Sequence, residues 1–312
     1  MKKICIDARM IESAGIGTYL KSLLKNLKSK NFKISLIVKP RVIERVKWLK
    51  NFDLIYLDAP IYSIKEQLLL PFKIPKCDLF FVPHFNIPLL PIRAKKRLVT
   101  IHDVYHLAFL SSLKFFEKIY AKYFICKAAL HSDKIITVSE FSKSEIIKYT
   151  KVKSDKIEVI HNAIDRDLFN IKKDEKNTDN IEKKQSENKK KIDKLKILPK
   201  KYFLFVGNLK PHKNLINLLK AFEKIHKDFN DIFLVIVGKS ANLINAIDIQ
   251  KVLEKKEFLR KKVIFIDNAL DEELPYIYRG AISLVFPSYY EGFGYPPLEA
   301  MSVKCPVIAS NV

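Results

Sequence analysis

The chain has 312 residues, 48% hydrophobic and 29% charged, which is the make-up of a soluble globular protein too long for one ordinary core and suited to two domains. No apolar run approaches the ~18 residues of a membrane-spanning helix, and the basic start "MKKICIDAR" reads as a first strand rather than a leader, so a cytoplasmic location is expected. The formal net charge is +23, but 49 of the 57 basic residues are lysine and 8 are arginine, a poor balance for a nucleic-acid reader that needs bidentate arginine contacts.

That excess charge fits either a lysine-rich composition or an anionic partner such as a nucleotide or an acidic membrane face. Cys5, Cys77, Cys126 and Cys305 are widely spaced and form no CxxC, so free core thiols are expected rather than a metal site or disulfides.

In chain order, short apolar runs alternate with helical stretches. Strands are predicted at 3–7, 33–38, 53–57, 78–83, 97–103, 134–139 and 156–162. Most are continuous apolar runs, as in strands covered on both faces of a parallel sheet. Helical stretches such as "GTYLKSLLKNLKSK" lie between them. Residues 171–200 then carry 11 lysines and 6 acidic residues with almost no apolar content, which predicts a disordered linker or insertion. The alternation restarts with strands at 202–207, 232–238, 263–267, 282–288 and 306–310, and helices from about Asn214, near 271–280 and from Pro297. The expected class is α/β. A doubly wound domain at 1–170 and a second at 201–312 would face each other across a cleft, the second array lacking a covering helix for its last strand.

"PSYYEGFGYPPLEAM", 287–301, places Glu291 and Glu299 around a segment that prolines 296 and 297 prevent from being helical throughout. It follows a strand, and open sheets bind ligands beyond the carboxyl ends of their strands. Gly292 and Gly294 would allow positive φ and close approach of a ligand. Pro296 and Pro297 would open a helix whose free amides favour an anion such as a diphosphate. Glu299 would fall in its first turn and accept from a vicinal diol, with Glu291 free to accept from a second polar group. An ordinary loop with a capped helix and two solvated glutamates is the other reading of the same residues.

With "CPVIAS" following it, this stretch resembles the E-x7-E signature of glycosyltransferase family 4, a retaining group with the GT-B fold of two Rossmann-like domains. The resemblance implies that Glu291 contacts the donor sugar and Glu299 the ribose, with backbone amides at Gly292, Phe293 and Gly294 meeting sugar and diphosphate. "FLFVGNLKPHKNLINLLKAF" resembles the family's donor-domain turn. It implies that Gly207 and Asn208 line the donor and that Lys213 binds the diphosphate, a point charge set against the leaving group. Asn208 and His212 stand where many relatives have arginine, leaving Lys213 as the permanent cation. "DARMIESAGIGTYL" resembles the glycine loop after strand one, placing Gly15 and Gly17 near donor phosphate and acceptor. "TIHDVYH" gives His102 the family's cleft histidine, with Asp103 orienting it or capping the next helix. Ser139 and Ser142 read as helix caps, and Asn162 in "VIHNAID" as a cleft-side residue.

The resemblance implies transfer of a hexose from a nucleotide diphosphate sugar to a glycan or lipid-linked hydroxyl, without cofactor or metal and without nucleic acid. In "SSLKFFEKIYAKYFICKAAL", 111–130, Lys114, Lys118 and Lys122 recur at four-residue spacing among aromatics. This is either a solvated stripe on a core-packed helix or a face for an anionic membrane. Two other classes can be weighed. A nicotinamide-dependent oxidoreductase needs a third glycine after strand one and an acid ending strand two, and the chain has neither. A non-catalytic nucleotide-sugar-binding subunit differs from an enzyme only in turnover.

Overall fold

The computed structural model describes residues 1–27, 31–110, 115–169, 197–226, 228–238, 246–267 and 269–312. They form two compact units, Met1–Ala163 and Ile164–Val312. The first boundary lies earlier than the sequence predicts, because Ile164, Leu168 and Phe169 pack into the core of the second unit. Most of the predicted linker, residues 171–196, lies outside the described residues.

The first unit holds strands β1 (Lys2–Asp7), β2 (Phe32–Val38), β3 (Asp53–Tyr56), β4 (Cys77–Val82), β5 (Ala94–Thr100), β6 (Lys134–Thr137) and β7 (Ile157–Val159). They pair in the order β3-β2-β1-β4-β5-β6-β7, every pairing parallel. Alternate residues go to opposite faces. Cys5, Phe80 and Val82 join one cluster, with helices α3 (Ile64–Lys73), α5 (Phe115–His131) and α6 (Glu140–Thr150) contributing Leu70, Ile125 and Ile146. Ile6, Phe81 and Leu36 join a second cluster with Leu20 and Leu24 of α1 (Ala14–Asn26) and Val42 of α2 (Val42–Arg45). Two covered faces leave no room for polar alternation, which is why these strands are legible as apolar runs. Between α3 and α6 lies the short α4 (Tyr105–Ala108), and α7 (Arg166–Phe169) opens the second unit.

The second unit holds β8 (Tyr202–Val206), β9 (Phe233–Val237), β10 (Val263–Ile266), β11 (Ser283–Phe286) and β12 (Val307–Ala309), in the parallel order β10-β9-β8-β11-β12. One face packs on α8 (Leu215–Ile225), α9 (Ala246–Glu254) and α10 (Glu257–Lys262) through Leu219, Ile249 and Leu259. The other packs on α11 (Leu274–Gly280) and α12 (Tyr295–Ser302) through Ile277 and Ala300. All twelve predicted strands are present. Their ends recede where the chain turns polar: β5 stops at Thr100 and leaves His102 and Asp103 beyond it.

Each sheet has one place where consecutive strand order reverses, between β1 and β4 in the first and between β8 and β11 in the second. Loops leaving the carboxyl ends of such neighbours diverge to opposite faces and open a crevice.

Candidate active site

At the switch point of the second sheet, the turn Pro211–Lys213 after β8 meets the loop after β11. Asn214 Nδ2 donates to the Pro287 carbonyl (3.0 Å), the Tyr289 amide donates to the His212 carbonyl (2.8 Å), and Asn217 Nδ2 donates to the Tyr289 hydroxyl (2.7 Å). Asn214 has positive φ (58°), a conformation asparagine tolerates better than most residues. These bonds bring Lys213 Nζ within 2.5 Å of Glu291 Oε1, both side chains mostly buried, with the ammonium 5.2 Å from the Phe286 ring centroid. Residues 78 positions apart are thus set as a charged pair by two loops that are themselves bonded together. Glu291 was expected free to accept from hydroxyls; instead one of its oxygens is occupied by Lys213.

The helix after the loop differs from expectation in three respects. α12 begins at Tyr295 with Gly294 as its N-cap in the left-handed region (φ 94°), where a side chain would be strained. Gly292, expected to share that conformation, does not have positive φ. Glu299 lies past the first turn rather than in it, because the helix starts two residues before Pro297. Pro296 and Pro297 occupy two of the four positions whose amides a helix leaves unbonded, so this N-terminus presents fewer N–H groups to an anion than an ordinary one. Glu299 Oε2 accepts from the Tyr278 hydroxyl of α11 (2.7 Å). Burial raises the Glu299 carboxyl above its usual range, although the Tyr278 bond pulls it back. Phe293 sets its ring edge-on to Tyr295 at 5.9 Å. Gly207 follows β8 directly and donates its amide to Val237, while Asn208 Oδ1 accepts from the Lys210 amide.

Next to the switch point of the first sheet, past the end of β5, His102 Nε2 bonds the Pro83 carbonyl (3.0 Å), and its ring meets Tyr19 edge-on at 4.9 Å. A carbonyl only accepts, so Nε2 carries the proton and Nδ1 is the acceptor; burial holds the imidazolium pKa below its usual value. Asp103, one residue ahead of Val104, the N-cap of α4, accepts through Oδ1 from the Tyr105 amide (3.0 Å). Ser139 caps α6 by accepting from the Ser142 amide, and Ser142 Oγ donates to the His102 carbonyl. The Asn162 Oδ1 atom is buried with no partner among the described residues. Gly15 and Gly17 lie inside the first turn of α1 rather than on a loop. The Gly17 amide bonds the Ser13 carbonyl, and a Cβ there would sit 2.5 Å from the Ile11 carbonyl oxygen, so Gly17 serves packing.

A buried polar network not singled out in the sequence reaches His102 through His84. Arg9, just past β1, is fully buried: its Nε and Nη2 bond Asp7 Oδ1 (2.8 Å) and Oδ2 (2.6 Å), and Nη2 also reaches Glu66 Oε1 (2.6 Å). Glu66 Oε2 accepts from Asn86 Nδ2 (2.6 Å) and the Tyr62 amide (2.7 Å), and Asn86 Oδ1 accepts from the Tyr120 hydroxyl (2.5 Å). His84, past β4, completes the group. Burial opposes ionisation of both acids. At Asp7 the Arg9 guanidinium overcomes it and holds the carboxyl below its usual range, whereas Glu66 is raised. The available signal was positional: "DAR" and "PHFN" put polar groups at the ends of buried strands.

The sequence profile of Glycosyltransferase Family 4 matches residues 13–168, and that of Glycosyl transferases group 1 matches residues 186–312. The chain belongs to glycosyltransferase family 4. It is 31% identical over 252 residues to the O-antigen chain mannosyltransferase RfbU of Salmonella typhimurium, covering 81% of this chain and 61% of that protein. It is 28% identical over 228 residues to O-antigen chain mannosyltransferase B of Escherichia coli, covering 72% and 55%. The chain therefore spans just over half the length of these curated relatives. Among solved structures it resembles Anabaena Alr3699/HepE in complex with UDP-glucose, with a TM-score of 0.72 at 16% identity over 100% of this chain and 81% of that one. It also resembles WaaG, a glycosyltransferase involved in lipopolysaccharide biosynthesis, with a TM-score of 0.68 at 15% identity, covering 100% and 81%. The two parallel sheets of this family-4 chain are those of the GT-B fold. Among the described residues, no helix is long and apolar enough to cross a membrane and no group of three or more His, Cys, Asp or Glu could hold a metal ion.

Proposed function

We propose that this family-4 chain moves a hexose, mannose or a close analogue, from a nucleotide diphosphate sugar to a hydroxyl of a surface-polysaccharide or glycolipid acceptor, with retention at the anomeric carbon. The observation that carries the reading is the Lys213–Glu291 pair, fixed by two mutually bonded loops at the switch point of the second sheet. The mannose assignment is supported by the names of the two O-antigen relatives.

In this reading the bond from the anomeric carbon to the diphosphate oxygen breaks, and a bond to the acceptor oxygen forms on the same face. The departing phosphate oxygen takes the acceptor's proton, so no protein nucleophile is needed. Lys213 and the loop amides at 292–294 meet the charge that develops on the leaving group, which stabilises the transition state more than the ground state. Glu291 takes sugar hydroxyls and Glu299 the ribose diol. With Lys213 supplying the cation, turnover should persist in chelator.

The same reading places the protein at the inner face of an anionic membrane. On helix α5, Phe115, Phe116, Ile119 and Tyr123 are about half exposed or more, with Lys122 exposed and Lys118 half-buried among them, while Lys114 lies outside the described residues. An aromatic face edged by lysine suits the headgroup layer.

A thermal-shift panel of nucleotide sugars, followed by transfer assays with lipid-linked and glycan acceptors, tests the proposal. One nucleotide sugar should raise the melting temperature and support transfer. Stabilisation without turnover would make the chain a donor-binding subunit, and no stabilisation by any donor would sink the reading. Co-sedimentation with phosphatidylglycerol vesicles but not phosphatidylcholine vesicles is expected.

A further inference from the structure

Among the described residues, the switch point of the first sheet holds two hydrogen-bond donors with no partner. Arg9 lies just past β1 and His84 just past β4, the neighbours between which strand order reverses. Asp7 and Glu66 engage Arg9 through Nε and Nη2, while Nη1 is buried without a partner. His84 is 2% exposed, and its Nδ1 accepts from the Asn86 amide at 3.1 Å. An amide only donates, so the neutral ring carries its proton on Nε2. That atom, too, is buried without a partner. Burial pushes the His84 pKa down to about 4, so the ring is neutral under ordinary conditions. Buried donors are nearly always paired. Two unpaired ones within electrostatic reach of each other, at the place where such sheets take ligands, form half of a binding site.

We propose that His84 Nε2–H and Arg9 Nη1–H bind a hydroxyl of a carbohydrate, with the ring of Tyr62 as the cover it displaces. The network sets two carboxylates, Asp7 and Glu66, against one guanidinium and a neutral imidazole, so an arriving anion would meet excess negative charge. A hydroxyl oxygen can accept from both donors at no such cost. His102, within electrostatic reach of His84, donates through Nε2 to Pro83 and so keeps Nδ1 as an acceptor that the hydroxyl's own proton could use. Tyr62 is half exposed where His84 is buried. Its ring lies 6.2 Å from His84 and stacks on Phe85 at 5.8 Å. Its backbone is left-handed (φ 66°), held there in part by the amide bond to Glu66. Turning that ring about its side-chain bonds would bare this edge of the imidazole while the Tyr62 amide keeps its bond to Glu66.

The proposal rests on the glycosyltransferase reading for the identity of the ligand as a sugar, and its test is separable from it. In the full chain labelled with 15N-histidine, long-range proton–nitrogen spectra should show His84 as the Nε2–H tautomer. Titration with methyl α-mannoside should shift its Nε2 signal saturably if the hydroxyl belongs to an acceptor glycan. A shift with a nucleotide sugar but not with the free glycoside assigns the hydroxyl to the donor; either result supports the site. His84→Leu should weaken the responding ligand at least about tenfold, whereas His84→Gln, which keeps an N–H donor, should stay within about threefold. The wild-type titrations stand even if a variant fails to fold. An Nδ1–H tautomer, or an imidazole unmoved by both ligands, overturns the proposal. Loss of the glycosyltransferase reading alone would look different: no thermal shift by any nucleotide sugar, with His84 still answering to the glycoside.

Discussion

The two switch points solve the same problem in opposite ways. In the first unit, Arg9 is sealed between Asp7 and Glu66, with Asn86, Tyr62 and Tyr120 supplying the remaining bonds. In the second, Lys213 and Glu291 form a single contact between two loops, each side chain slightly exposed at 12% and 16%. The guanidinium is fixed to the scaffold through Nε and Nη2, which leaves Nη1 alone for a ligand, whereas a flexible ammonium held by one carboxylate can be drawn to another partner. Charge at a switch point is therefore no sign of chemistry in itself. What separates a buttress from a working group is how many fixed partners it has and how far it is from solvent.

The largest expected effect tests the buttress. Arg9→Ala leaves two buried carboxylates without their cation, and breaking a buried ion pair in this way costs about 3–5 kcal/mol; chemical denaturation should show that loss in the first unit. Next comes the working pair. Lys213→Ala or Glu291→Gln should lower turnover at least about tenfold, roughly 1.4 kcal/mol of barrier, while the melting temperature changes little. Turnover at the wild-type rate with an identified donor would remove either residue from the site.

Tyr278→Phe should act through pH. Its hydroxyl lowers the Glu299 pKa against burial, so without it the carboxyl is raised further. Because the folded pKa is already raised, ionising Glu299 costs folding free energy, and stability falls as pH rises through that value. Donor affinity should fade in the other direction, as acid protonates the acceptor of the ribose diol, and the variant should move this acid limb to higher pH. Isothermal titration across the acidic range measures it. The smallest effect is the control: Lys33 and Asp53 pair at 3.2 Å but are more than half exposed, so Asp53→Asn should change stability by less than about 1 kcal/mol.

How much of this was legible follows from the same contrast. The strands were readable because burial on both faces makes each an apolar run, and "EGFGYPPLE" was readable because glycine and proline leave few conformations open. The Arg9 network was not. Its partners stand 57 and 20 residues apart, separations set by topology and matching no helical or strand period. Helix α12 was misplaced by two residues for a local reason: Gly294, not the prolines, provides the break that starts it. Tyr278 stayed hidden because a hydroxyl in an apolar helix reads as core until its acceptor is known.

The contact between Lys213 and Glu291 has one more implication. In the empty protein each charge quenches the other, so a ligand bearing only phosphates must evict a carboxylate, and one bearing only hydroxyls must compete with an ammonium. A molecule that carries both lets the lysine change hands and releases the glutamate in the same event. Such a latch would favour the intact activated sugar over its separate halves, and discharge the products once the bond between them is cut.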